Sequence, residues 1–79
     1  MPAPKSEEEW AERTRFYLKR RLKEAEITYV DLAVRLKKFG FKETEASITN
    51  KLKRGTFSAT FLLAAMTAIG CDVIRIKEI

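Results

Sequence analysis

The feature that most constrains this chain is its punctuation. Ser6, Thr28, Thr44 and Ser58 each stand just before an apolar-periodic segment, and Gly40, Gly55 and Gly70 stand just after three of those segments. A short hydroxyl side chain accepts a hydrogen bond from the unpaired N–H groups of a helix's first turn. Glycine takes the left-handed conformation that ends a helix without steric penalty. The spacing predicts four helices, at about residues 7–25, 29–39, 45–54 and 59–69. The fold class is therefore mainly α. A chain of 79 residues has no room for a second core. Residues 6–79 are read as one domain, and residues 1–5, with Pro2 and Pro4, as a flexible lead.

Within this frame each helix has its own character. Ser6 with Glu9 predicts a capping box, and Glu7, Glu8 and Glu9 suit the positive end of helix 1. Trp10, Thr14, Tyr17, Leu18, Leu22 and Ala25 share one stripe at helical spacing. Phe16 falls on the opposite, polar side, so either the helix packs on two sides or Phe16 touches a partner. Val30, Leu32, Ala33 and Leu36 supply the apolar side of helix 2. Ile48 and Leu52 are the inward positions of helix 3; Ala46, Ser47, Asn50, Lys53 and Arg54 lie opposite, a mainly polar and basic outer face. Helix 4, in FSATFLLAAMTAIG, is apolar nearly all round. It is expected to be a central core helix, or core on one side and a subunit interface on the other.

After Asp72, VIRIKEI alternates and is rich in β-branched residues, which predicts a short C-terminal β-strand at about 73–78. No second strand is apparent, and a lone strand has no ladder partner. The expected resolution is pairing with its symmetry mate in a homodimer.

Several functions are excluded at this stage. With no histidine and one cysteine, Cys71, the chain has neither the usual zinc ligands, nor an intrachain disulfide, nor a histidine-based catalytic device. No metal, no cofactor and no enzymatic activity are expected. The longest apolar run, residues 61–66, is far short of the roughly 20 residues that span a bilayer. The opening MPAPKSEEEW has no apolar signal core. The expectation is a cytoplasmic protein that does not engage a membrane.

The net charge of +5 is unevenly placed. Residues 13–26 carry six basic groups against Glu24 and Glu26. Residues 35–54 carry seven against Glu43 and Glu45, whereas residues 55–79 are neutral. A basic middle attracts polyanions. Two helices joined by a short connection, the second with an exposed polar and basic face, are the elements of a helix-turn-helix, and such a helix fits the major groove.

The stretch from Leu32 to Gly70 resembles the phage repressor and Cro-type helix-turn-helix domains. The shared points are Leu32-Ala33 with Leu36, Leu52 with Arg54-Gly55, and a Ser-capped apolar helix ending in Ile69-Gly70. Lys37 stands where typical members have glycine, and Gly40, after a longer turn, takes that role. More narrowly, KLKRGTFSATF with AIG resembles a small proteobacterial domain family of unassigned function. The resemblance implies that helix 3 is a recognition helix, with Thr44, Ser47, Asn50, Lys51, Lys53 and Arg54 as base contacts. Thr28, Lys42, Thr56 and Ser58 would serve phosphates. The expected function is a sequence-specific double-stranded DNA-binding protein, a dimeric transcriptional regulator. Its dimer interface would be formed by Phe16, Met66, Val73, Ile74 and Ile76. The competing expectation is a protein-interaction module, such as an antitoxin or adaptor with a protein partner.

Overall fold

The computed structural model describes residues 3–79; Met1 and Pro2, part of the expected lead, lie outside the described residues. Four α-helices follow one another: α1 (Glu7–Glu24), α2 (Tyr29–Lys37), α3 (Glu45–Arg54) and α4 (Ala59–Ile69). Each begins at the expected hydroxyl. Ser6, Thr28, Thr44 and Ser58 accept from the backbone N–H three residues on. At α2 and α3 the cap is reciprocal, because Asp31 and Ser47 return a bond to the cap residue's own N–H. The box expected at α1 is only half formed. Glu9 donates its N–H to Ser6 Oγ, but its carboxylate accepts from the Lys5 N–H at 3.1 Å. That bond ties Lys5 to the first turn.

The helix ends are less legible. α2 stops at Lys37, two residues before the expected end. Lys38, Phe39 and Gly40 continue in i→i+3 bonds, the tighter winding common at helix ends. The end of α1 carries no glycine. Glu26 itself adopts φ +57°, and the Ile27 N–H reaches back to the Leu22 carbonyl at 3.0 Å. This is the bond pattern usually built around glycine. Ile27 and Leu22 are both buried, so their contact supports a conformation that glutamate disfavours.

The core is continuous. Leu18, Leu32, Leu36, Ile48, Leu52 and Ala65 are fully buried, with Tyr17, Leu22, Phe61 and Met66 beside them. α2 packs on α3 and α4, and α1 packs on the same two helices. The Phe61 ring meets Phe57 and Phe41 edge to face, with centroids 5.4 and 6.4 Å away. Phe41 thus fastens the α2–α3 connection to the core, and Phe57 fastens the α3–α4 connection.

Two expectations are corrected, the C-terminal strand and the extent of the α1 stripe. The C-terminal β-strand is not formed: the described residues contain no strand, and residues 76–78 make one 3₁₀ turn. A strand needs a partner for its backbone groups. Here the segment instead folds back on α1, whose arginines satisfy it. Arg20 Nη2 donates to the Glu78 carbonyl at 3.1 Å and Arg13 Nη1 to the Ile79 backbone oxygen at 3.4 Å. Of the residues assigned to a dimer interface, Met66 is buried in the monomer core and Ile74 packs against that core, while Phe16, Val73 and Ile76 are exposed. Of the two arrangements expected for α4, the helix is core on one side, and Leu63 on the other is 58% exposed. The buried stripe of α1 is also shorter than expected. Tyr17, Leu18 and Leu22 are inside, but Trp10 and Ala25 are exposed. The N-terminal half of α1 meets the rest of the domain through a close backbone approach at Ala11 and through Arg13 and Arg15.

Candidate nucleic-acid interface

The candidate surface is built on α3. Ile48 and Leu52, one turn apart and fully buried, set the helix's rotation. Thr49, Asn50, Lys53 and Arg54 therefore face outward and are exposed. The flank between core and solvent is occupied by an acid that the sequence reading passed over. Glu43, whose side chain is only 9% exposed, accepts from Ser47 Oγ at 2.6 Å and from Lys51 Nζ at 3.0 Å through each carboxylate oxygen. Lys51 Nζ also lies 5.5 Å from the centroid of the Phe61 ring. A cation held against an aromatic face and a largely buried carboxylate is retained by both.

The six residues assigned to base contact thus fall into two groups. Thr44, Ser47 and Lys51 come together around Glu43 and the α3 N-cap, where their polar atoms are engaged within the domain. Asn50, Lys53 and Arg54 stand on the open face. Among the residues assigned to phosphate, Thr28 and Ser58 are N-caps of α2 and α4, and Ser58 Oγ also lies 3.0 Å from Thr60 Oγ1. Lys42 and Thr56 are exposed on the connections flanking α3. The spacing 43, 47, 51 places an acid, a hydroxyl and a lysine one helical turn apart, a signal that charge patterning at i, i+4 could have revealed.

The C-terminal end of α3 is pinned by α1. Arg15 Nη1 donates to the Lys53 carbonyl at 3.0 Å, satisfying one of the acceptors a helix end leaves open. Gly55, at φ +72°, lies so close to α1 that a Cβ there would sit 2.9 Å from the Ala11 carbonyl oxygen. No sequence pattern signals either contact, because the partners are about forty positions apart. Between them opens a groove of about 360 Å³ lined by Glu7, Glu8, Glu12, Arg15, Arg54 and Thr56, among others. Three carboxylates share this groove with Arg54, whereas Lys53 and, on the α2–α3 connection, Lys38 and Lys42 are exposed outside its lining.

Among the described residues no helix is long and apolar enough to cross a membrane. No curated protein and no solved structure matches the chain at a significant level. A family model matches the chain; the family's function is unassigned, as expected of the narrower resemblance, and the match does not extend to the repressor and Cro-type superfamily. The model of that family, described as a domain of unknown function (DUF6471), matches residues 10–74, from the first turns of α1 to beyond α4, and the chain belongs to that family.

Proposed function

We propose that this domain is a sequence-specific double-stranded DNA-binding protein, a transcriptional regulator related to the repressor and Cro-type helix-turn-helix domains. It lays α3 in the major groove. The observation that carries the reading is the open face of α3. Asn50, Lys53 and Arg54 project from a helix whose start is locked by the Thr44–Ser47–Glu43 network and whose end is held by Arg15. A rigid helix presenting amide, ammonium and guanidinium groups suits base edges and phosphates. In this reading Asn50 contacts adenine and Arg54 guanine or phosphate. Lys53, Lys42, Thr28, Thr56 and Ser58 serve the backbone. Thr44, Ser47 and Lys51 position the helix instead of reading bases.

Fluorescence anisotropy on DNA selected from a random pool tests this. Asn50→Ala is expected to cost about 1–3 kcal/mol on the selected site and to relax preference at one adenine. Lys53→Ala is expected to weaken all sequences alike and to lower the salt slope by about one. Selected DNA binding no tighter than random DNA would remove the sequence-specific claim, and a flat salt response would remove phosphate contact.

A second reading, a protein-interaction module such as an antitoxin or adaptor, is favoured by the exposed Leu63, Val73 and Ile76. Capture of one protein by both wild type and Asn50→Ala/Lys53→Ala, with no selected DNA sequence, would favour it over the first.

A further inference from the structure

The open face of α1 carries a charge pattern that is complementary to itself. At about 100° per residue, Glu9, Glu12, Phe16, Lys19 and Lys23 fall within about 80° of one another, opposite the buried Tyr17–Leu18–Leu22 side. All five are exposed, Phe16 by 53%. Phe16 sits at the middle of the helix, with nine of its residues before and eight after. On one side of the ring is a groove of about 460 Å³ lined by Glu9 and Glu12, with Arg13 at its edge. On the other is a groove of about 450 Å³ whose lining includes Lys19 and Lys23. The two arginines at the edge of this face, Arg13 and Arg20, also line these grooves and donate to the backbone oxygens of Ile79 and Glu78.

We propose that this face is a homodimer interface in which α1 pairs antiparallel with α1 of a second copy, about a two-fold axis through Phe16. The two-fold operation turns the acidic groove of one copy onto the basic groove of the other. Glu9 then faces Lys23 of the second copy, Glu12 faces its Lys19, and the two Phe16 rings meet at the axis. Isologous contacts require a surface of this kind, complementary to itself under rotation. Opposite charges placed in this order favour the antiparallel register, because the parallel one sets like against like. Phe16, which the core leaves out, becomes the buried aromatic centre that interfaces favour. The helix is about 27 Å long, so its face is smaller than the roughly 800 Å² per partner of a standard interface. The dimer is accordingly weak and dissociates as salt screens its ion pairs. The proposal supplies the pairing that a two-fold operator needs, but it does not rest on DNA binding and is read without DNA.

Sedimentation equilibrium of the full chain tests it. One variant carries Glu9→Lys and Glu12→Lys, a second carries Lys19→Glu and Lys23→Glu, and helical circular dichroism verifies that each is folded. Each variant alone faces four like-charge pairs, and self-association should fall by at least roughly tenfold. Mixing the two variants restores every opposite-charge pair and should recover the dimer as a heterodimer. Phe16→Ala, which leaves the charges intact, should also weaken the dimer. A wild type that stays monomeric at the highest soluble concentration overturns the proposal. So does a dimer unchanged in both charge variants, or a mixture of folded variants that associates no better than its components.

Discussion

Gly55→Ala is the substitution whose cost can be worked most directly from the geometry. Two contributions add. The first is conformational: Gly55 lies at φ +72°, where a Cβ costs about 1–2 kcal/mol. Alanine recovers roughly 0.4–1 kcal/mol of that by restricting the unfolded chain. The second is steric. The added Cβ would stand 2.9 Å from the Ala11 carbonyl oxygen, 3.2 Å from its carbonyl carbon and 3.3 Å from its Cβ. Two of those atoms are helix backbone, which cannot rotate away, so α1 and α3 must separate. Overpacking of this kind costs about 1–3 kcal/mol. The sum is about 1–5 kcal/mol, against a stability of roughly 4–12 kcal/mol for a domain of this size. At about 4–8 °C per kcal/mol, Tm should fall by roughly 4–40 °C. Gly40→Ala is the control. Gly40 shares the left-handed φ, at +85°, but has nothing within 4 Å of its Cβ position, so only the conformational contribution applies. Thermal and urea melts followed by circular dichroism give both values. If Gly55→Ala costs no more than Gly40→Ala, the close approach of α1 and α3 is wrong.

Two further predictions concern α1. Glu26 holds a left-handed conformation without being glycine. Glu26→Gly should therefore gain about 0.5–1 kcal/mol once glycine's larger unfolded-state entropy is subtracted; a lower Tm would show that the side chain contributes more than its backbone costs. The Tyr17 hydroxyl is buried with no hydrogen-bond partner, while the Arg20 and Arg21 guanidinium groups lie 5.6 and 5.9 Å from its ring centroid. Tyr17→Phe keeps the ring and removes the unsatisfied group, and should raise stability by about 1 kcal/mol. A loss of stability in chemical denaturation would mean that the hydroxyl is satisfied in solution.

The helices were legible because their signals are local. Ser6, Thr28, Thr44 and Ser58 act on atoms three residues away, and the anchors Ile48 and Leu52 repeat at the period of the helix itself. The failures came from contacts distant in sequence. VIRIKEI alternates like a strand, but alternation describes only one partner of a ladder; what decided its conformation was Arg13 and Arg20 on α1, which offered its backbone oxygens donors without a second strand. Met66 looked available for an interface because α4 is apolar nearly all round, and only the packing of α1 and α2 against it determined which side was taken. The candidate site divided in the same way. The outward placement of Asn50, Lys53 and Arg54 follows from the Ile48–Leu52 stripe, and the sequence placed them correctly. The engagement of Ser47 and Lys51 with Glu43 was also local, but an acid before a helix reads first as a charge balancing its neighbours, and its burial beside Phe61 cannot be seen from spacing.

α1 links these observations. Its N-terminal half carries the acids that border Arg54, together with the Ala11 backbone and Arg15 that hold the end of α3. Its outer face carries the self-complementary charge pattern around Phe16. A helix that both positions α3 and pairs with its own copy would fix the relative orientation of two α3 helices without any other element taking part. The C-terminal segment, bound back onto α1 by arginines, is then released from the pairing role that its sequence suggests. The mixed polarity of α1, four acids with Arg13 and Arg15 in its first half and four bases with Glu24 in its second, suits that one geometric demand. An antiparallel pair needs opposite charges at opposite ends of the same helix, whereas a uniformly basic α1 would raise the attraction for polyanions but repel its own copy.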